Sequence, residues 1–200
     1  LNAWGNPNIH DVRHLKLENL IACDACSITD KTIPTTVRVL DVSYNPKIRD
    51  VKHLPLVELH AGGTCGITCK GLPLTLKKLN AWGNPRIHDV RHLKLEYLGA
   101  GNRCGITDKT IPTTVHTLDA WNNSRIRDVR HLKLECLNAG GDCGITDKTI
   151  PTTVRALDAS YNPKICDVRH LKLEKLDACD SCGITDKTIP TTVRVLDVSY

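Results

Sequence analysis

The sequence contains no methionine and no phenylalanine among its 200 residues, and aromatic residues make up only 4% of it. Leucine, isoleucine, valine, alanine and cysteine must therefore supply the hydrophobic core. No apolar run approaches the ~20 residues of a membrane-spanning helix, so we expect no membrane span. The 27 lysines and arginines are interleaved with 22 acidic residues and form no basic block, which makes us expect no nucleic-acid partner. Because an initiator methionine is missing, we expect a segment of a longer protein.

A repeat of 39 residues accounts for the whole chain. Leucines recur at this spacing, and asparagines, aspartates and prolines fall into the same register. The sequence therefore predicts one solenoid over residues 1–200, with further repeats after it in the parent chain. Its predicted units are 1–39, 40–78, 79–117, 118–156 and 157–195, and 196–200 begins a sixth.

Each unit divides into two coils of 19 and 20 residues, which the fifth unit shows as LDASYNPKICDVRHLKLEK and LDACDSCGITDKTIPTTVRV. In the first of these, Leu157 and Ala159 should point inward from a short strand, and Asp158 and Ser160 outward, because strand side chains alternate. One strand cannot bury its apolar face alone, so stacked coils should form a continuous parallel sheet. Asn162 and its equivalents should turn the chain and bond to backbone groups of the turn and of the adjacent coil.

The stretch VRVLDVSYNPKI, residues 37–48, resembles the leucine-rich-repeat pattern Leu-x-x-Leu-x-Leu-x-x-Asn/Cys-x-Leu, with one extra residue before the last position. NPKIRDVKHLPLVEL is similar to coils of internalins and phosphatase regulators, and CGITD to the cysteine-containing coils of F-box proteins. IPTTVRVLDVSYN is similar to coils of bacterial effector proteins. The resemblance covers the whole chain and implies a rod with a parallel β-sheet on one face.

The other side of each coil should contain little α-helix. Coils of 19 or 20 residues are short for this family, and the recurring proline removes an N–H group that a helix would use. We therefore expect extended or single-turn segments there.

Cysteine contributes ten residues, and five of them recur once per unit. Neighbours in this series should be roughly 10 Å apart across two coils, too far for a disulfide, which predicts buried thiols. Two Cys-x-x-Cys pairs lie four units apart, so neither should complete a metal or redox site. We expect no metal and no cofactor, and the unpaired thiols favour a cytoplasmic location. The recurring series is Cys26, Cys65, Cys104, Cys143 and Cys182.

Histidine also recurs once per unit, in the segment DVRHL or DVKHL. A nearby aspartate could make this pattern look like acid–base chemistry. Five near-identical copies are more typical of architecture, in which aspartate caps backbone N–H groups while arginine and histidine face solvent. We therefore predict no catalytic residue and no enzyme activity. The histidines are His14, His53, His92, His131 and His170.

Aromatic side chains are concentrated at the fourth or fifth position of the first strand of each unit. Rings there should form an outward stripe at intervals of roughly 10 Å, and the glycine-bearing coils between them should leave grooves and keep the rings apart. Such surfaces are typical of binding faces, although stacked rings could instead stiffen the sheet. The predicted partner-binding face comprises Trp4, Tyr44, Trp82, Trp121, Tyr161 and Tyr200, with Asp41, Asp119 and Asp158 at its border.

These patterns lead to three hypotheses about function. The first is a non-enzymatic scaffold that binds a protein through the aromatic stripe. The second is a structural, surface or filament-forming protein that assembles with itself, which the similarity of the units favours. The third, a substrate receptor of a ubiquitin ligase, depends only on the resemblance to F-box proteins.

Overall fold

A computed structural model describes residues 1–199, and the predicted site residue Tyr200 lies outside them. Ten strands of three residues form one parallel sheet, in which each strand pairs with the next along the chain. The strands are β1 (Asn19–Ile21), β2 (Val39–Asp41), β3 (Glu58–His60), β4 (Lys78–Asn80), β5 (Tyr97–Gly99), β6 (Thr117–Asp119), β7 (Cys136–Asn138), β8 (Ala156–Asp158), β9 (Lys175–Asp177) and β10 (Val195–Asp197).

The register aligns the central leucine of each strand with the central leucine of the next, as in the pairing of Leu40 with Leu59 and of Leu59 with Leu79. These leucines are buried in β1 to β9, while the residues on either side of them face outward. A strand of this kind buries one apolar side chain and leaves two free to vary. The predicted parallel-strand solenoid, with about 20 residues per turn, is confirmed.

The core continues from the strand leucines into ladders of alanine, isoleucine, valine and cysteine. Four cysteines of the recurring series are fully buried, as predicted, whereas Cys182 is only partly buried. Burial raises the pKa of the Cys65, Cys104 and Cys143 thiols to about 11, so they stay protonated at neutral pH. These cysteines act as small hydrophobic residues in the core.

A buried asparagine comes after the first strand of most units and connects neighbouring coils. The Nδ2 of Asn123 donates to Ala100 O at 2.7 Å and to Ile106 O at 3.2 Å, and its Oδ1 accepts the N–H of Arg125 at 3.1 Å. Asn84 and Asn162 make the corresponding bonds. The predicted role of these asparagines in the turn and in the adjacent coil is confirmed.

The segments that lead back to the next strand are extended or form single 3-10 turns, as the short coils and the prolines predicted. Backbone bonds link them from coil to coil, for example Val129 N to Thr149 O at 3.3 Å. Threonine hydroxyls add further links, as Thr153 Oγ1 donates to Leu134 O at 2.7 Å. The 3-10 turns are η1 (Asp30–Thr32), η2 (Cys69–Gly71), η3 (Asp108–Thr110) and η4 (Asp147–Thr149).

Among residues 1–199, the fifth position of each coil, counted from the strand leucine, has a left-handed backbone with φ between 54° and 67°. Glycine, asparagine and aspartate adopt this conformation most readily, and they occupy eight of the ten positions. The remaining two positions hold tyrosine, at Tyr44 and Tyr161. The ten residues are Gly5, Asp24, Tyr44, Gly63, Gly83, Asn102, Asn122, Gly141, Tyr161 and Asp180.

Candidate binding surface

The outward side of the sheet, here called the sheet face, is formed by the first and third residues of each strand and by the fourth and fifth positions of each coil. Trp4, Tyr44, Trp82 and Tyr161 are 67%, 51%, 41% and 50% exposed, and Trp121 is partly exposed. The described members of the predicted aromatic stripe therefore do lie on this face and reach solvent.

The rings lie over glycines of the next coil. Tyr44 covers Gly63, Trp82 covers Gly101 and Trp121 covers Gly140, each so closely that a Cβ atom on the glycine would clash with the ring. The expectation of open grooves at these glycines is thus wrong, because the rings themselves occupy that space. Glycine forms a flat platform on which each aromatic side chain packs.

One pair of rings meets across such a platform, which contradicts the expectation that glycine-bearing coils would keep the rings apart. The centroids of Trp121 and Tyr161 are 5.8 Å apart with an interplanar angle of 76°, an edge-to-face contact. Because Gly140 has no side chain, the indole can lean across the coil that separates the two strands. Ring packing and exposure therefore coexist in this part of the sheet face.

The border aspartates have a structural role in addition to facing outward. The Oδ1 atoms of Asp41, Asp119 and Asp158 each accept, at 3.0 Å, the N–H of the residue two positions later. This bond bends the strand into the turn that carries the aromatic residue. Burial raises the pKa of Asp119, and the nearby carboxylate of Asp158 raises it further.

Two of the rings also bond to acidic side chains of the next coil. The indole N–H of Trp4 donates to Asp24. Hydrogen bonding to Asp180 raises the pKa of the Tyr161 hydroxyl, since a nearby carboxylate disfavours the phenolate. The bond from Trp4 fixes its ring while leaving much of the ring's surface exposed.

Sequence reasoning missed Tyr97, which opens β5 and lies half-buried in the middle of the sheet face. Its outward position follows from strand alternation, but it lies outside the register of the aromatic stripe. Beside it, Glu58 accepts from His60 at 2.9 Å and pairs with Lys78 at 3.6 Å. The hydrogen bond from His60 is the main reason why the pKa of Glu58 is lowered.

The depressions on the sheet face are shallow; one of about 500 Å³ lies beside Gly83, Asn102 and Asn122, and three others lie along the strands. One of about 430 Å³ lies between Trp4 and Tyr44, and Ile21 contributes to its lining. Two smaller ones, of about 240 and 250 Å³, lie on either side of Tyr97. All three are open, so this surface can receive side chains of a partner.

The recurring aspartates and histidines lie away from the sheet face. Asp128 Oδ1 caps the N–H of Arg130 at 3.1 Å and binds its guanidinium, while His131 is exposed. Bonding to the neighbouring arginine lowers the pKa of the corresponding aspartates to about 2, so they are poor proton acceptors at neutral pH. This arrangement is the architectural one that the repeated copies indicated.

Within residues 1–199, no group of three or more histidine, cysteine or acidic side chains is placed to hold a metal ion. Cys23, from one of the Cys-x-x-Cys pairs, is buried beside Asp41, and burial raises the pKa of its thiol to about 12. A thiol with so little thiolate character is a poor nucleophile and a poor metal ligand.

The differences among repeats are concentrated on the sheet face and the turn after it. The return segments DVRHLKLE and ITDKTIPTTV each occur unchanged in four of the five units. The first strand position, in contrast, holds eight residue types over ten strands, and none of these residues is buried. They are Asn19, Val39, Glu58, Lys78, Tyr97, Thr117, Cys136, Ala156, Lys175 and Val195.

No protein-family model and no curated protein sequence matches this chain. Over the part of the chain that the structure describes, no helix is long and apolar enough to cross a membrane.

Proposed function

We propose that this protein is a leucine-rich-repeat scaffold that binds another protein through its sheet face. Membership of that repeat class is supported by the three-residue strands with central leucines and by the buried asparagines that connect coils. The mode of binding is supported by the exposed aromatic residues and their polar surroundings, a combination enriched at protein interfaces.

The observation that carries the proposal is the contrast between the varied sheet face and the unvaried return segments. Side chains on both surfaces are exposed, so tolerance of substitution alone would have diversified both. Arg130 is 63% exposed in its side chain, yet its segment recurs without change in four of the five units. Variation restricted to one face is expected where that face fits a partner of irregular shape.

The backbone at the tyrosines adds independent support. A residue with a large side chain at φ near 60° is less stable than glycine there by about 1 kcal/mol. Tyr44 and Tyr161 adopt this conformation, although other coils use glycine, asparagine or aspartate. Strained residues of this kind are characteristic of functional sites, where the side chain is needed for another reason than stability.

The experiment that tests this proposal compares partner capture by the wild type and by the double variant Trp82→Ala/Trp121→Ala. A photo-crosslinking residue replaces Thr117 on the sheet face, and crosslinked proteins are identified by mass spectrometry. We expect the variant to lose about 90% or more of the crosslinked partner, because central aromatic residues dominate interface energies.

The matched control is His92→Ala/His131→Ala, which removes two rings from the return segments. Circular dichroism and thermal unfolding must show that both variants remain folded. Equal capture by the wild type and the tryptophan variant would contradict the proposal, as would equal losses in both double variants.

A further inference from the structure

The return segments form a second surface, here called the return face, on which cationic residues are stacked along the solenoid. Each unit places an arginine or lysine, a histidine and one or two further lysines on this face. They are far apart in the sequence, so no basic block marks them, but the 39-residue period brings their equivalents to within about 10 Å of each other. Exposed examples are Lys94, Lys133 and Lys172, and Lys109, Lys148 and Lys187.

An open groove of about 680 Å³ lies on this face between adjacent coils. Its rim contains the cationic residues Arg130, Lys133 and Lys148 together with two histidines, and no carboxylate lines it. Leu132 and Ile150, both nearly buried, contribute an apolar floor. A cationic rim over an apolar floor suits a ligand that combines anionic groups with C–H surfaces.

The charge density of the return face is low. Asp128 binds Arg130 at 2.6 Å and Asp147 precedes Lys148, so together with Lys133 these residues carry a net charge of about one per unit. One unit spans about 10 Å, since two coils are each about 4.8 Å thick. Duplex DNA carries one charge per about 1.7 Å, or about six over the same length. The face therefore matches a more sparsely charged polymer.

The lining of this groove contains no tryptophan, tyrosine or phenylalanine, and its rings are the small imidazoles of His131 and His170, so it offers little stacking surface for nucleic-acid bases. Sugar rings, in contrast, present C–H faces and hydroxyl groups, and acidic sugars add one anionic group at regular intervals. Thr152, exposed at the rim, adds a hydroxyl that can bond to them. Because the return segments recur unchanged in four of the five units, they fit a ligand that itself repeats.

We propose that the return face binds a linear acidic polysaccharide, with one anionic group near each unit's lysines. This inference concerns a different surface from the protein-binding sheet face and does not depend on it. Binding should be driven by several weak contacts, and it should therefore be sensitive to salt.

The test measures binding of a hyaluronan decasaccharide, which carries a single carboxylate in each disaccharide, by titration calorimetry at several salt concentrations. The variant Lys94→Gln/Lys133→Gln/Lys172→Gln removes equivalent lysines from three units. We expect its affinity to fall about tenfold at low salt, as three weak charge contacts are lost. The dependence of log K on log salt concentration should also become shallower in this variant, because fewer screened charge contacts remain.

The matched control Lys77→Gln/Lys78→Gln/Lys175→Gln makes the same change in net charge at or beside the strands, and its affinity should stay within about twofold. An equal loss in the control would overturn the proposal, because net charge alone would explain it. Failure of the wild type to bind hyaluronan would also overturn it. Tighter binding of a DNA duplex of similar length at the same salt concentration, weakened by the same three substitutions, would assign the face to nucleic acid instead.

Discussion

At the scale of single residues, the first coil of most units meets two backbone demands with two different side chains. The buried asparagine bonds to carbonyl groups of the adjacent coil, and the fifth position admits a left-handed backbone. The first demand restricts the residue type strictly. The second is met by glycine, asparagine or aspartate in most coils, and its violation at two tyrosines marks where the molecule departs from its most stable sequence.

Replacing Asn123 by alanine should lower the free energy of unfolding by roughly 3 kcal/mol, because two buried carbonyl groups and one N–H lose their partner. Urea denaturation followed by circular dichroism measures this change. The control Asn8→Ala, at an exposed position, should change it by no more than about 0.5 kcal/mol. Similar losses in both variants would show that the buried bonds contribute little.

Replacing Tyr44 by asparagine should raise the free energy of unfolding by up to about 1 kcal/mol, since asparagine tolerates φ of 61° better. The same variant should bind the protein partner more weakly, because the exposed ring is lost. Tyr44→Phe keeps the ring and the strain, so its stability should match that of the wild type. A loss of stability in Tyr44→Asn would mean that packing on Gly63 outweighs the relief of strain.

At the scale of the element, a strand of three residues is held in position by the turn and the ring that come after it. An aspartate or asparagine at the third strand position bonds to the backbone two residues later, and the next ring packs on glycine of the adjacent coil. Strand, turn and platform thus form one local unit that sets the direction of each aromatic side chain.

Gly140→Ala tests this unit. The added methyl group would overlap the Trp121 ring and approach Ser160 O, so the ring must move and its contact with Tyr161 should be lost. We expect unfolding free energy to fall by about 1 to 3 kcal/mol and the tryptophan emission to shift. Gly140 is not one of the positions with a left-handed backbone, so strain of that kind does not contribute to the expected loss. Unchanged emission from Gly140→Ala would contradict the packing of Trp121 on this glycine.

At the scale of the whole molecule, the 39-residue period was sufficient to predict the parallel-strand solenoid, its inward leucines and its connecting asparagines. These features follow from periodicity because equivalent residues are buried in the same way from coil to coil. The contact between Trp121 and Tyr161 did not follow, since strand spacing says nothing about how far a ring can lean over a glycine. The left-handed fifth position could have been found from its glycine, asparagine and aspartate content.

The cationic return face was missed for a related reason. No block of lysines and arginines along the chain marks this face, because a solenoid brings together residues that are 39 positions apart. Tyr97 was missed because it lies outside the register of the other rings, although alternation alone places it outward.

The stability of the whole solenoid should depend on pH in the acidic range. Bonds from arginine lower the pKa of Asp11, Asp89, Asp128 and Asp167 to about 2, below the ordinary value of 3.8. Groups with a lowered folded pKa stabilise the fold above about pH 4 and lose this contribution as the pH falls through about 2. Each pair is exposed, so the individual effects are small.

Thermal unfolding at about pH 4 and at about pH 2.5 should therefore show a lower midpoint at the lower pH. Replacing Arg13, Arg91, Arg130 and Arg169 by alanine should make this decrease smaller, because the aspartate pKa values then return towards 3.8. An unchanged decrease in the quadruple variant would assign the acid sensitivity to other carboxylates.

The strands are also preceded by a ladder of charges that alternates along the sheet. Glutamate precedes most strands of one coil type, and arginine, lysine or histidine precedes those of the other, as in the pair of Glu96 with Lys77 at 3.0 Å. Every coil offers the same leucine, so core packing alone would allow a strand to skip its neighbour during folding. Skipping one coil places like charges side by side, which is unfavourable. A strand that skips two coils again lies beside a strand with the opposite charge. The misfolded forms that this charge pattern does not disfavour should therefore be those displaced by whole units of 39 residues.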